Sequence, residues 1–379
     1  YDNPVIHVLD ASKSVTTVSS ILNNETNHNY VEKINLEYKD IREKHFAKLS
    51  IKEFLTIEQA RKNSLLIHCT NYNSVKPKMI GKKEFVDYPI EEIRNYIDWT
   101  PFFITWELKG KYPSIFENKD YGKEAKKIFD DANILLDKII SEKFIRANGI
   151  VGLYPANSVG DDIEVYSDES KRGILTTLHS IRQQSIKSAG EPNLALSDFI
   201  MPNAAGKLDY IGLFAVTTGI GVQQLVQHFE ANHDDYNSIL VKAVADRLAE
   251  AFAELLHQKV RSEIWGYAVN EKLSMDDLIH EKYEGIRPAP GYPSQPDHTE
   301  KLEMWKLLDI DKIGINLTES LAMSPAASVC GLYFANPNAK YFNTGKINKD
   351  QVEDYRRRKG ISLKEAEKWL RPILGYDEV

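Results

Sequence analysis

The chain has 379 residues, 42% hydrophobic and 27% charged, and its 48 Lys+Arg against 55 Asp+Glu give a formal charge of −7. That balance excludes a disordered or fibrous chain and disfavours nucleic acid or an anionic membrane as partner. Cys69 and Cys330 lie far apart and form no CxxC, no apolar run approaches the roughly 18–20 residues needed to span a bilayer, and the first residue is Tyr1 with no basic-then-apolar leader. A soluble piece of a longer, cytoplasmic polypeptide without a disulfide framework or thiolate metal cage is expected, with metal ligands expected to be none.

Pro4 to Asp10 is a short β-branched run, and a helix opens near Ser12, making one β–α unit whose sheet is expected to lie elsewhere. Asn29 to Phe46 reads as a charged linker helix. Thr56 with Gln59 is a capping box opening a short helix through Lys62. The expected organisation is a β–α remnant at 1–33, a linker at 34–48 and the main domain at 49–379. In the main domain Pro89 suits the first turn of a helix to about Tyr96, and Tyr121 to Phe144 has a long amphipathic pattern. Gly149 to Tyr166 reads as strand, turn, strand, with Asn157 and Gly160 as turn residues. Gly173 to Ser180 and Asp209 to Thr217 are further strands, and the longest helix runs from about Asp235 to Ile264. Ser324 to Ala335 reads as a strand, Asn336-Pro337-Asn338 as a turn, and Tyr341 onward as its partner strand. Two short helices follow, one stopping at Gly360 and one opened by the Ser362/Glu365 capping box. The sum is α+β, with a twisted, mainly antiparallel sheet and flanking helices.

Three stretches carry candidate chemistry. Arg287 to Glu300 holds four prolines and one glycine, with an arginine at one end and Asp297-His298 at the other. Such a loop is rigid and extended, so its arginine can clamp a carboxylate at little entropic cost. The alternative is a structural connection in which Asp297 caps the next helix. On the long helix, Asp246, Glu250 and His257 fall within a narrow arc, while Leu248, Phe252 and Leu255 point to the core. Two carboxylates at i and i+4 repel unless a cation intervenes, which suits a positively charged ligand; a solvated face neutralised by Arg247 and Lys242 is the competing reading. Asp98 lies among Tyr96, Trp99, Phe102, Phe103 and Trp106, either a paired structural carboxylate or the polar point of a cation or adenine pocket. Gly219-Ile220-Gly221 lacks the third glycine of a dinucleotide fingerprint, and no P-loop, HExxH or GxSxG occurs.

At RPAPGYP (Arg287 to Pro293) and PDHTEK (Pro296 to Lys301) the chain resembles the C-terminal activation domain of cobalamin-dependent methionine synthase. The likeness continues in NYIDWTPFF, VGDDIE (Val159 to Glu164), HDDYN (His233 to Asn237) and ADRLAEAFAE (Ala245 to Glu254). It extends to LTES (Leu317 to Ser320), DQVEDY (Asp350 to Tyr355) and LGYD (Leu374 to Asp377). PVIHVLDASKSV resembles the closing β–α unit of a cobalamin-binding domain. The resemblance implies a reactivation module of a methyltransferase: it binds S-adenosylmethionine and presents its methyl to reduced cobalt, so that oxidised, inactive cob(II)alamin returns to methylcobalamin. A flavodoxin-like partner supplies the electron, the cobalamin sits on an adjacent domain of the same polypeptide, and zinc belongs only to a separate homocysteine module.

By the same resemblance Asp98 meets the ammonium end of the ligand. Arg287, with backbone at Pro288 and Ala289, holds the methionine part, and Tyr341 with Phe342 lines the nucleoside side. Glu250 and Asp246 support from the helix, and Tyr292 faces the corrin as the catalytic-step residue. The chain departs from the family at Phe342, where a second tyrosine is common, and at Ser294-Gln295. It carries no DxHxxG cobalamin motif, so turnover of methionine by this chain alone is not expected. An alternative is a non-enzymatic module docking the cobalamin domain and a flavoprotein, for which Arg356-Arg357-Arg358-Lys359 is the candidate basic patch. A free-standing activator of another corrinoid protein is a third reading, opposed by the β–α remnant.

Overall fold

The computed structural model describes residues 5–8, 11–23, 27–50, 54–65 and 72–377. At its centre is a six-stranded antiparallel sheet built from β1 (Gly81–Phe85), β2 (Arg146–Val159), β3 (Asp162–Tyr166), β4 (Ile174–His179), β5 (Asp209–Ile220) and, after a separate ribbon of β6 (Asn316–Leu317) and β7 (Met323–Ser324), β8 (Ser328–Tyr333). The order is β4-β3-β2-β5-β8, and β1 shares with β3 the edge of β2 opposite β5, pairing through the register Gly81↔Leu153 to Phe85↔Gly149. The fold class is therefore α+β around an antiparallel sheet.

Both faces of the sheet are covered, so its central strands β2 and β5 are buried on nearly every residue rather than on alternate ones. Ile211, Leu213 and Ala215 of β5 with Cys330 and Leu332 of β8 enter one core, which they share with Met304, Trp305 and Leu308 of a helix at Glu300–Leu308. Phe214, Val216 and Tyr333 turn the other way, towards Leu248, Phe252 and Leu255 of the long helix at Asp235–Lys259. The period-two alternation along each strand thus feeds two cores.

In chain order the helices are α1 (Ala11–Leu22), α2 (Asn27–Ser50), α3 (Ile57–Lys62), α4 (Ile90–Arg94), α5 (Thr100–Thr105), α6 (Gly122–Glu142), α7 (Val222–Ala231), α8 (Asp235–Lys259), α9 (Met275–Ile279), α10 (Glu300–Leu308), α11 (Lys349–Lys359) and α12 (Leu363–Leu370). Among the described residues none is long and apolar enough to cross a membrane. Thr56 and Gln59 form the expected reciprocal capping box of α3. A π-turn, Val260–Ile264, prolongs α8 to the length read from the pattern. Residues α11 and α12 contribute form a third, smaller core around Ile181, Val352, Tyr355 and Leu370.

Two expected strands do not form. Residues 5–8 lie outside any strand, because no neighbouring strand offers a ladder to that segment among the described residues; the rest of that expected strand lies outside the described residues. Residues 341–346 also lie outside any strand. The edge of β8 that they were expected to pair is taken by the proline-rich loop: Ile286 N donates to Phe334 O at 3.1 Å, Phe334 N to Ile286 O at 3.0 Å and Leu332 N to Pro288 O at 2.8 Å. Proline lacks an N–H, but its carbonyl still accepts, so Pro288 can serve the edge. Gly331 permits this approach, since a Cβ there would lie 2.9 Å from Pro288 O.

Candidate functional site

Docking of the proline-rich loop on β8 opens a cavity of about 560 Å³ between the loop, β8 and the 341–343 segment. Arg287, Pro288, Ala289, Tyr292, Tyr341 and Phe342 all line it, as does Glu250 from α8. A smaller cavity of about 160 Å³ shares Arg287 and Glu250 and adds Asp98, Tyr96, Arg247, Glu254 and Glu281. Arg287 and Glu250 stand where the two meet, so one cleft has a large, mainly apolar arm and a small charged one.

The loop is stiff for identifiable reasons. Gly291 N donates to Gln295 O at 2.7 Å and Gln295 N to Tyr292 O at 2.9 Å, closing a tight turn with Tyr292 at its tip. Ser294 Oγ donates to Phe342 O at 2.6 Å, and Thr344 N donates to Pro293 O at 2.9 Å, stitching the loop to the segment opposite. Tyr292 is 64% exposed, although burial of its hydroxyl end, followed by the nearby Glu250 carboxylate, raises its pKa.

Arg287 is the anchor. Its backbone N donates to Tyr341 Oη at 3.0 Å, and NH1 donates to Glu254 Oε2 at 2.5 Å. Burial works against its charge, but the Glu254 carboxylate, together with Tyr283 and Tyr341 beside it, raises its pKa and holds the guanidinium protonated. Glu254 is i+4 from Glu250 and was missed in the sequence; continuing the Asp246/Glu250 spacing by one more turn is the signal that reaches it.

Asp98 is held by the amide of Thr100, which donates to Oδ1 at 2.9 Å. Of the neighbouring aromatics Tyr96 stays on the small cavity, while Trp99 turns away and packs edge-on against Phe129 and Phe102 at centroid distances of 4.8 and 5.3 Å. Enclosure raises the pKa of Glu250, against the opposing pull of Arg287 and Arg247. Four carboxylates and two arginines line the charged arm, so it suits a ligand carrying cationic groups together with one carboxylate.

The structure does not bring every expected residue into this cleft. Asp246 lies one turn further out, 56% exposed and paired with Arg247 at 2.5 Å, and it lines neither cavity. His257 is fully buried, stacked on Tyr333, and belongs to the core. Asp297 serves the fold: it accepts from Thr299 N at 2.8 Å and pairs with Lys359 at 2.8 Å. Lys301 and Cys330, not anticipated, line the larger arm; burial lowers the lysine's pKa and pushes the thiol up to about 12.

Two comparisons bear on this cleft. The family model for the activation domain of vitamin B12 dependent methionine synthase matches residues 89–360, which include every residue of the cleft named above. The crystal structure of the MetH reactivation domain bound to AdoHcy is 54% identical in sequence with a TM-score of 0.84, covering 86% of this chain and 99% of that one.

Proposed function

The chain belongs to the family of vitamin B12 dependent methionine synthase activation domains, and on that premise we propose that its cleft binds S-adenosylmethionine and presents the methyl group for reductive methylation of a cobalamin. The observation that carries this reading is Arg287, fixed at the junction of an apolar arm and an acidic one. A methionine carboxylate fits the guanidinium, an ammonium fits Asp98 and Glu250, and an adenosyl group fits the larger arm, whose volume of about 560 Å³ is in the range of small-molecule sites.

The relative at 54% identity has AdoHcy bound, which supports a ligand of that skeleton here. A cobalamin carried by a neighbouring domain would supply the reduced cobalt that accepts the methyl, with an electron from a flavodoxin-like partner. Tyr292, exposed on the rigid turn at the cleft mouth, offers a flat apolar ring to such a macrocycle. The chain's own work is then to bind and orient: no acid, base or nucleophile is required of it, because the sulfonium is already a leaving group.

Isothermal titration with S-adenosylmethionine tests the reading. One-to-one binding is expected, and Arg287→Ala is expected to weaken it tenfold or more, about 1.4 kcal/mol. Unchanged affinity in that variant refutes the carboxylate anchor. The rival docking-module reading has less to stand on, since Arg356 and Arg358 of its basic run pair with Glu353 and Asp354, and Lys359 with Asp297.

A further inference from the structure

Behind the anchor runs a chain of alternating charges. Arg287 NH1 donates to Glu254 Oε2 at 2.5 Å. The other oxygen, Glu254 Oε1, is buried and faces Arg261 NH1 at 4.0 Å. Neither of those two atoms has a hydrogen-bond partner among the described residues. Arg261 is fully buried in the π-turn after α8, with Glu271 accepting from its Nε at 2.9 Å and its NH2 at 2.7 Å. Its guanidinium also lies 4.3 Å from the centre of the Tyr283 ring. A regular helix would carry Arg261 on round the axis, whereas the extra residue of a π-turn re-aims the side chain, a device common at functional sites.

We propose that Glu254 is a positioning residue: faced from behind by the charge of Arg261, which Glu271 in turn holds in place, it fixes the direction of the Arg287 fork so that the cleft accepts a ligand carboxylate in one orientation. The inference deepens the ligand reading above and rests on it. Glu254 takes one donor of the fork, NH1, and the remaining Nε and NH2 donors have no protein partner among the described residues. Those two donors form the parallel pair that a carboxylate accepts bidentately. An arginine without this support has several rotatable bonds to freeze before it can clamp, and that entropy would be charged against binding. Selectivity for a ligand with a carboxylate is therefore set by the reach of Glu254 and not merely by its charge.

Reach and charge are separable. Glu254→Gln keeps the length and an acceptor oxygen; Glu254→Asp keeps the charge but stops one methylene, about 1.5 Å, short. The readout is the ratio of affinities for S-adenosylmethionine and its decarboxylated analogue, titrated against the whole chain. Binding of the analogue reports that the site is folded, and a purely structural role would move both ligands together. Glu254→Gln is expected to keep the ratio within about threefold of the unaltered chain, and Glu254→Asp to lower it by tenfold or more. Retention of the ratio by Asp with its loss in Gln overturns the proposal, as does an equal loss of both ligands in both variants. An unaltered chain that binds neither ligand defeats the ligand reading itself. An unaltered chain that discriminates through Arg287, beside Glu254 variants that also discriminate normally, defeats only this inference.

Discussion

His257 sits between two tyrosine rings, stacked on Tyr333 with centroids 5.0 Å apart and edge-on to Tyr283 at 4.8 Å, and both its ring nitrogens are buried without hydrogen bonds among the described residues. Burial, reinforced by Arg261, drives its pKa well below the usual histidine value, so the folded protein keeps it neutral. The unfolded chain therefore binds the extra proton as pH falls below about 6.5, and stability fully present above that pH is progressively lost below it. His257→Phe removes the titration and two unpartnered nitrogens while keeping the stack. Urea unfolding at pH 7.5 and 5.5 is expected to show a variant at least as stable as the parent at the higher pH and a smaller loss between the two. The sequence put His257 in the same arc as the acids because about 100° per residue brings them close. An arc does not say what lies opposite it, and α8 is buried on most sides. Glu254, by contrast, needed Arg287 to arrive from 33 residues away before it had any role to read.

At the scale of elements, the proline-rich loop is the part of the site most legible in one dimension. Dense proline predicts a stiff, extended segment, and Pro288 to Pro296 is stiff. What spacing could not supply was its partner: the loop lies along β8, and the expected Tyr341 strand gives way to an irregular segment that lines the cleft instead. Gly291 makes the turn possible, with φ +95° and a virtual Cβ only 2.2 Å from His298 Cε1. Gly291→Ala must strain the backbone and displace the histidine, costing roughly 1 kcal/mol or more. Its expected outcome is a lower melting temperature together with S-adenosylmethionine binding weakened at least tenfold, since Tyr292 and Arg287 lose their common frame. A normal affinity in a stable Gly291→Ala chain would show that the turn is not what holds the anchor.

For the molecule as a whole, α11 is tied to the proline-rich loop and to α10 by a mostly buried cation. Lys359 Nζ lies 2.8 Å from Asp297 Oδ2 and 2.5 Å from Glu300 Oε1, whose side chains are 0% and 1% exposed. Although burial opposes ionisation, Lys359 holds the Asp297 carboxyl below its ordinary range, and the two carboxylates hold the lysine above its own. Lys359→Met leaves two shielded carboxylates facing each other, and a loss of about 3–5 kcal/mol in urea unfolding at neutral pH is expected. A loss below 1 kcal/mol would mean that α11 is held by its other ties, the Arg358–Asp162 and Arg61–Asp354 pairs and the apolar contacts of Val352 and Tyr355. Four successive basic residues read as a surface patch, yet in the fold Arg357 alone of them is mostly exposed, at 68%.

The sequence by itself determined the class of fold, because period-two and period-3.6 patterns, caps and turn residues are local and α8, β2, β5 and the capped α3 and α12 follow from them. Asn157, however, read as a turn residue, pairs with Glu164 inside β2, and the turn falls to Gly160. It also determined the family, carried by contiguous motifs around Arg287 and Asp98. Only the tertiary structure decided which side chains share the cleft. It joined Arg287 to Glu254, Asp98 to Glu250 and the loop to β8, and it left Asp246 at the rim and His257 in the core. The physical reason is that a helical angle or a strand register assigns a direction. Whether that direction meets water, a cavity or a packed ring depends on elements distant in the chain.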